Sequence, residues 1–66
     1  MTIQYTYNNS RNNGRERVMA KDGKYYISSD WGDGFGSWKE VSREDITDTM
    51  AFTRAPQHIV DAILSE

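Results

Sequence analysis

The sequence predicts a small α+β domain, an antiparallel sheet packed against one or two C-terminal helices. Three observations predict it. Asp22-Gly23 separates two strand-like runs in RVMAKDGKYYIS, polar and apolar residues alternate through TIQYTYN, and Ile59, Val60, Ile63 and Leu64 recur at helical spacing after Pro56. A chain of 66 residues allows one domain, 1–66, with a small core. It contains no cysteine, so neither disulfides nor a thiolate zinc site supplements that core.

Taken in order, TIQYTYN sets Ile3, Tyr5 and Tyr7 on one side and Thr2, Gln4 and Thr6 on the other, the period of a half-buried strand. Asn13-Gly14 offers a primed turn that, closed tightly, sets Tyr7 opposite Ala20 and Asn9 opposite Val18. The loop formers from Asn8 to Asn13 offer a wide loop as the alternative. Asp22-Gly23 pairs Lys21 with Lys24, Ala20 with Tyr25, Met19 with Tyr26 and Val18 with Ile27. Directly opposed residues share a face, so Val18, Ala20, Tyr25 and Ile27 form an apolar side, and the tyrosines upstream fall on it too. Arg17, Met19, Lys21, Lys24 and Tyr26 form the other side. The result is a three-stranded meander.

The glycines at 32, 34 and 36 break regular structure, and Ser37 to Val41 is a candidate fourth strand. Ser42 has the chemistry of a helix N-cap, with Glu44 and Asp45 suited to the positive end of the helix dipole. Three threonines weaken ITDTMAFT as a helix, and its alternation of Ile46, Asp48, Met50 and Phe52 also suits a strand. We take a short helix from 43 to about 50. Pro56 fits the first turn of a last helix. The apolar stripe of that helix should cover Tyr5, Tyr7, Val18, Tyr25 and Ile27 and leave the basic face of the hairpin open.

Catalytic and ligand chemistry finds little support. His58 is the one histidine, and Asp61 lies three residues on, but no serine or cysteine nucleophile has an evident place beside them. Glu44 and Asp45, being adjacent, point in different directions from a helix. In GDGFG, Asp30 and Asp33 repel phosphate, and Asp30, Asp33 and Glu40 do not match the spacing of a calcium loop. No catalytic residue, metal or cofactor is expected. The longest apolar segment, HIVDAIL, is interrupted by Asp61 and cannot span a bilayer. Met1 to Tyr5 has neither a cationic start nor a long apolar run.

The net charge of −2 hides a division. Residues 1–29 carry Arg11, Arg15, Arg17, Lys21 and Lys24 against Glu16 and Asp22. Residues 30–66 carry Lys39, Arg43 and Arg54 against eight acids. Within the second part, DWGDGFGSWKEVSREDITD gathers Asp30, Trp31, Asp33, Phe35, Glu40, Glu44, Asp45 and Asp48. Trp38 is assigned to the core, whereas Trp31 and Phe35 flank glycines and serve either as structural plugs or as binding anchors. Carboxylates spread over a rigid domain can occupy a lysine- and arginine-rich groove that normally holds phosphates, as a DNA mimic does. The competing constellation is the basic hairpin face, Arg15, Arg17, Lys21, Lys24 and Tyr26, which could hold single-stranded nucleic acid.

With features such as DWGDGFGSWKEVSRED in a cysteine-free chain of this size, the protein resembles the small single-domain anti-CRISPR proteins by which phages inhibit bacterial type I CRISPR systems. The resemblance implies a non-enzymatic inhibitor in the bacterial host cytoplasm, with a Cas subunit of the surveillance complex as partner and blocked target-DNA recognition as effect. The expected partner surface is Asp30, Trp31, Asp33, Phe35, Glu40, Glu44, Asp45 and Asp48. The expected protein is a monomer with no small-molecule substrate. The alternative is a small nucleic-acid-binding regulator that uses the basic hairpin.

Overall fold

Four antiparallel strands and two helices make up the fold, in the order β1 (Thr2–Asn9), β2 (Gly14–Lys21), β3 (Lys24–Asp30), β4 (Lys39–Val41), α1 (Arg43–Phe52) and α2 (Gln57–Leu64). The computed structural model describes residues 2–9, 14–52 and 54–65. The strands lie side by side in sequence order, so the predicted meander is present with the fourth strand added at its edge.

The β2–β3 hairpin has the predicted register, Lys21 opposite Lys24 through Val18 opposite Ile27, and continues to Arg15 opposite Asp30. Asp22 and Gly23 take φ of 53° and 79°, the left-handed pair that matches the twist of the flanking strands. The first hairpin corrects the tight Asn13-Gly14 expectation. Tyr7 lies opposite Glu16, not Ala20, and Tyr5 opposite Val18, because pairing runs out to Asn9 opposite Gly14. Asn13 itself lies outside the described residues. The displacement is four positions, an even number, so every side chain keeps its predicted face.

Val18 and Ala20 are fully buried, and Ile3, Tyr5, Tyr25 and Ile27 pack around them on the predicted apolar face. Both helices cover that face, α1 against β3 and α2 against β1 and β2. Among the described residues, Ile46 and Met50 of α1 and Ile63 of α2 are buried in the core, with Ile59, Val60 and Leu64 partly covered beside them. The weak local propensity of ITDTMAFT is overridden by burial of residues four apart on one side of the helix. Ser42 caps α1 as predicted, its Oγ accepting from the Asp45 N–H at 3.1 Å. Arg43 Nη2 donates to the Leu64 carbonyl at 3.3 Å, which ties the start of α1 to the end of α2.

Helix α1 ends in a Schellman arrangement. The Arg54 N–H donates to the Ala51 carbonyl at 3.3 Å and the Ala55 N–H to the Met50 carbonyl at 3.1 Å, with Arg54 at φ 56°. Pro56 stands at the N-cap of α2, one position before the predicted first turn. Its carbonyl accepts from the Ile59 and Val60 N–H groups at 3.0 and 3.1 Å.

Candidate protein-binding surface

The segment after β3 folds back over the sheet face opposite the helices, and Asp30 organises it. This last residue of β3 is 6% exposed. One carboxylate oxygen accepts from the Gly32 N–H at 2.8 Å and the Gly34 N–H at 3.0 Å. The other accepts from Arg15, whose Nε stands at 3.2 Å and whose Nη2 completes an ion pair. The Arg15 hydrogen bonds and then the Gly32 amide hold the Asp30 carboxyl below the usual carboxylate range, against the opposing effect of burial. Positive φ at Gly32 (127°) and Gly34 (93°) turns the chain tightly enough for both amides to reach one oxygen.

Past this turn the loop is fastened to β3. Phe35 bridges to Asp30, the Gly36 N–H donates to the Ser29 carbonyl at 3.0 Å, and Ser28 Oγ donates to the Gly36 carbonyl at 2.7 Å. The fastening brings two rings onto the basic face. The Arg17 guanidinium lies 4.3 Å from the centroids of both Phe35 and Trp38, and that of Arg15 lies 5.0 Å from Phe35. Arg17 Nε is buried with no hydrogen-bond acceptor among the described residues, and the two ring faces supply the compensating negative potential.

The two constellations read from the sequence as rivals are therefore folded against each other. The hairpin face expected to stand open is partly covered, with Arg15 paired to Asp30 and Arg17 beneath Phe35 and Trp38. Lys21 and Lys24 remain exposed at the hairpin turn, with Tyr26 half-buried on the same face; Arg11 lies outside the described residues. Trp38, expected in the core, is half-buried on the opposite side of the sheet. Among the acids, Asp30 is enclosed while Asp33, Glu40, Glu44, Asp45 and Asp48 are exposed.

Trp31 has the opposite fate to Phe35. At 67% exposure it is the exposed large hydrophobic side chain among the described residues. Its indole passes close to the Gly14 backbone, where a Cβ would stand 3.6 Å from Trp31 Cε3 and 2.6 Å from the Asp30 carbonyl oxygen. Asp33 lies on the same turn. The acids of α1 lie elsewhere, since Tyr25 pairs with Val41 and the start of α1 follows directly at that end of β3. Five residues of strand, roughly 17 Å at about 3.3 Å per residue, separate that end from Asp30. The exposed acids are therefore divided: Asp33 beside Trp31, Glu40 opposite Tyr26 on the sheet face away from the helices, and Glu44, Asp45 and Asp48 on α1.

Sequence reasoning missed the part Arg15 plays in holding the loop. The signal was present, because extending the Asp22-Gly23 register outward sets Arg15 opposite Asp30. It also missed Glu16, on the helix-covered face. Its carboxylate oxygens accept from Tyr7 Oη and Ser29 Oγ, both at 3.2 Å. Burial, reinforced by the neighbouring Glu16 carboxylate, pushes the Tyr7 phenol well above its ordinary range.

His58 is exposed on α2, and Asp61 accepts from Gln57 Nε2 at 2.8 Å. Among the described residues no group of three or more histidine, cysteine or acidic side chains is placed to hold a metal ion, and no helix is long and apolar enough to cross a membrane. Comparison with protein-family models, curated proteins and solved structures finds no match to this chain.

Proposed function

We propose that the protein is a non-enzymatic inhibitor that docks on a basic, nucleic-acid-binding surface of a protein partner. The observation that carries this reading is Trp31, an indole left in water on a turn whose backbone is fixed by Asp30. A rigid, exposed aromatic beside a carboxylate supplies the apolar anchor that charge alone lacks, and anchors of this kind dominate protein interfaces. The exposed acids on β4 and α1 extend the negative potential along the molecule. Glu44 and Asp48 stand four apart on α1, an arrangement that disfavours a helix and suits an electrostatic surface. On the resemblance of the sequence to phage inhibitors, the partner is a Cas subunit of a type I surveillance complex, and the effect is blocked target-DNA recognition. Pairing of Arg15 with Asp30, and of Arg17 with two rings, argues against the basic hairpin as a nucleic-acid face.

The test is target-DNA binding by a type I surveillance complex, followed by mobility shift as the protein is added. Wild type should block binding. Replacing Trp31 by alanine should weaken inhibition by about thirtyfold, the effect of losing an anchor worth about 2 kcal/mol. Reversing Asp33, Glu44 and Asp45 to lysine should abolish it while circular dichroism stays native. Unchanged inhibition in that triple variant would sink the acidic-surface mechanism. Reversing Asp33 apart from the other two shows whether the Trp31 turn or α1 does the docking. Binding of free DNA or RNA with a steep salt dependence would instead favour the regulator reading.

A further inference from the structure

The two edges of the sheet are built differently. β4 is three residues long and carries Lys39 and Glu40, two devices that discourage a further strand from pairing. β1 has neither device. It runs for eight residues, TIQYTYNN, without a charge, a proline or a glycine, and among the described residues pairs on one side only, with β2. Its outer backbone groups form a neutral template for another strand.

We infer that β1 pairs with β1 of a second copy across a two-fold axis, joining two sheets into one of eight strands. Self-complementarity selects the occupant: a second β1 is equally uncharged and brings the same apolar row, Ile3, Tyr5 and Tyr7, to meet its own counterpart. An antiparallel pair keeps both apolar faces on one side only when odd positions meet odd ones. Among such registers, the one centred on Tyr5 sets all three apolar residues of β1 against apolar counterparts. Centred on Tyr5, the pairing sets Tyr5 against its own counterpart, Ile3 against that of Tyr7, and Gln4 against that of Thr6. Ile3 and Tyr5 are only half-buried in one copy, and Tyr5 already stacks on Tyr7 with ring centroids 5.7 Å apart. The pairing continues that aromatic row across the axis. On the same face α2 packs over β1 and β2 with Ile59, Val60 and Leu64 partly covered, which adds apolar area beyond the strand itself. The interface uses β1 and not the Trp31 turn, so it stands or falls apart from the proposed inhibition.

Sedimentation equilibrium of the whole chain, from low micromolar to millimolar concentration, tests the pairing. Wild type should reach twice the chain mass. Gln4→Glu with Thr6→Glu sets two like-charged pairs across the axis and should weaken the dimer on the order of tenfold. Within one copy these positions face Met19 and Arg17, so circular dichroism should confirm a native fold. Gln4→Lys with Thr6→Glu places opposite charges across the axis and should restore the dimer. A wild type that stays monomeric at every concentration would overturn the inference and leave the edge to a strand of another protein. A dimer indifferent to the double glutamate, or not restored by the lysine–glutamate variant, would overturn it equally.

Discussion

At the scale of single residues, Arg54 shows a cost that the fold carries. It occupies the left-handed position after α1, where a side chain with a Cβ is strained by about 1–2 kcal/mol and glycine is the usual occupant. The strain is accepted because the Ala55 N–H to Met50 bond needs the chain to reverse there before Pro56. Arg54→Gly should stabilise the domain by about 0.5–1 kcal/mol, after the greater freedom of glycine in the unfolded chain is deducted. In a domain this small that corresponds to about 3–6 °C in the thermal midpoint. A lowered midpoint would mean that the Arg54 side chain contributes a contact worth more than the strain. No sequence signal marked this position, since arginine has no preference for positive φ. The requirement comes from where the next helix must start.

At the scale of elements, the loop from 31 to 38 behaves as a layer of its own, whose first turn is held by one carboxylate. The Asp30 pKa is lower in the folded protein than in the unfolded chain, so its stabilisation is complete above the ordinary carboxylate range and is lost as pH falls through the lowered folded value. Amide exchange at Gly32 and Gly34, corrected for intrinsic rate, should show protection at neutral pH that disappears only in that acid range. Asp30→Ala should remove the protection at every pH. Protection that persists in the alanine variant would show that the turn holds without Asp30. The hairpin beneath the loop was legible because Asp-Gly fixes both turn geometry and register. The first hairpin was legible only in its faces, since Asn13-Gly14 looks like a tight turn while β1 and β2 pair further outward. The loop's destination was not legible, because glycine spacing says that the chain turns without saying which face it turns onto.

For the molecule as a whole, one small core holds both helices to the sheet. Ile63 is fully buried and belongs to a helix too short to persist alone. Ile63→Ala should cost about 2–5 kcal/mol, comparable with the entire stability of many domains of this size. Cooperative loss of helix and sheet signals at 25 °C is therefore expected in circular dichroism. A native spectrum with an unchanged melting curve would show that α2 is dispensable. The opposed charges of the two halves were legible in composition, and the pairing of Arg15 with Asp30 was implicit in the Asp22-Gly23 register carried outward. Arg15 and Asp30 are fifteen positions apart, and they meet only because the Asp22-Gly23 turn folds one strand onto the next.

The two tryptophans end in unlike surroundings, and this makes the protein its own optical instrument. Trp31 emits from water, while Trp38 emits from beside a guanidinium on the sheet. An occupant arriving at the turn changes the first emission and leaves the second alone, whereas loosening of the loop from the sheet changes the second. Docking and internal rearrangement are thereby separable by light, with no label added.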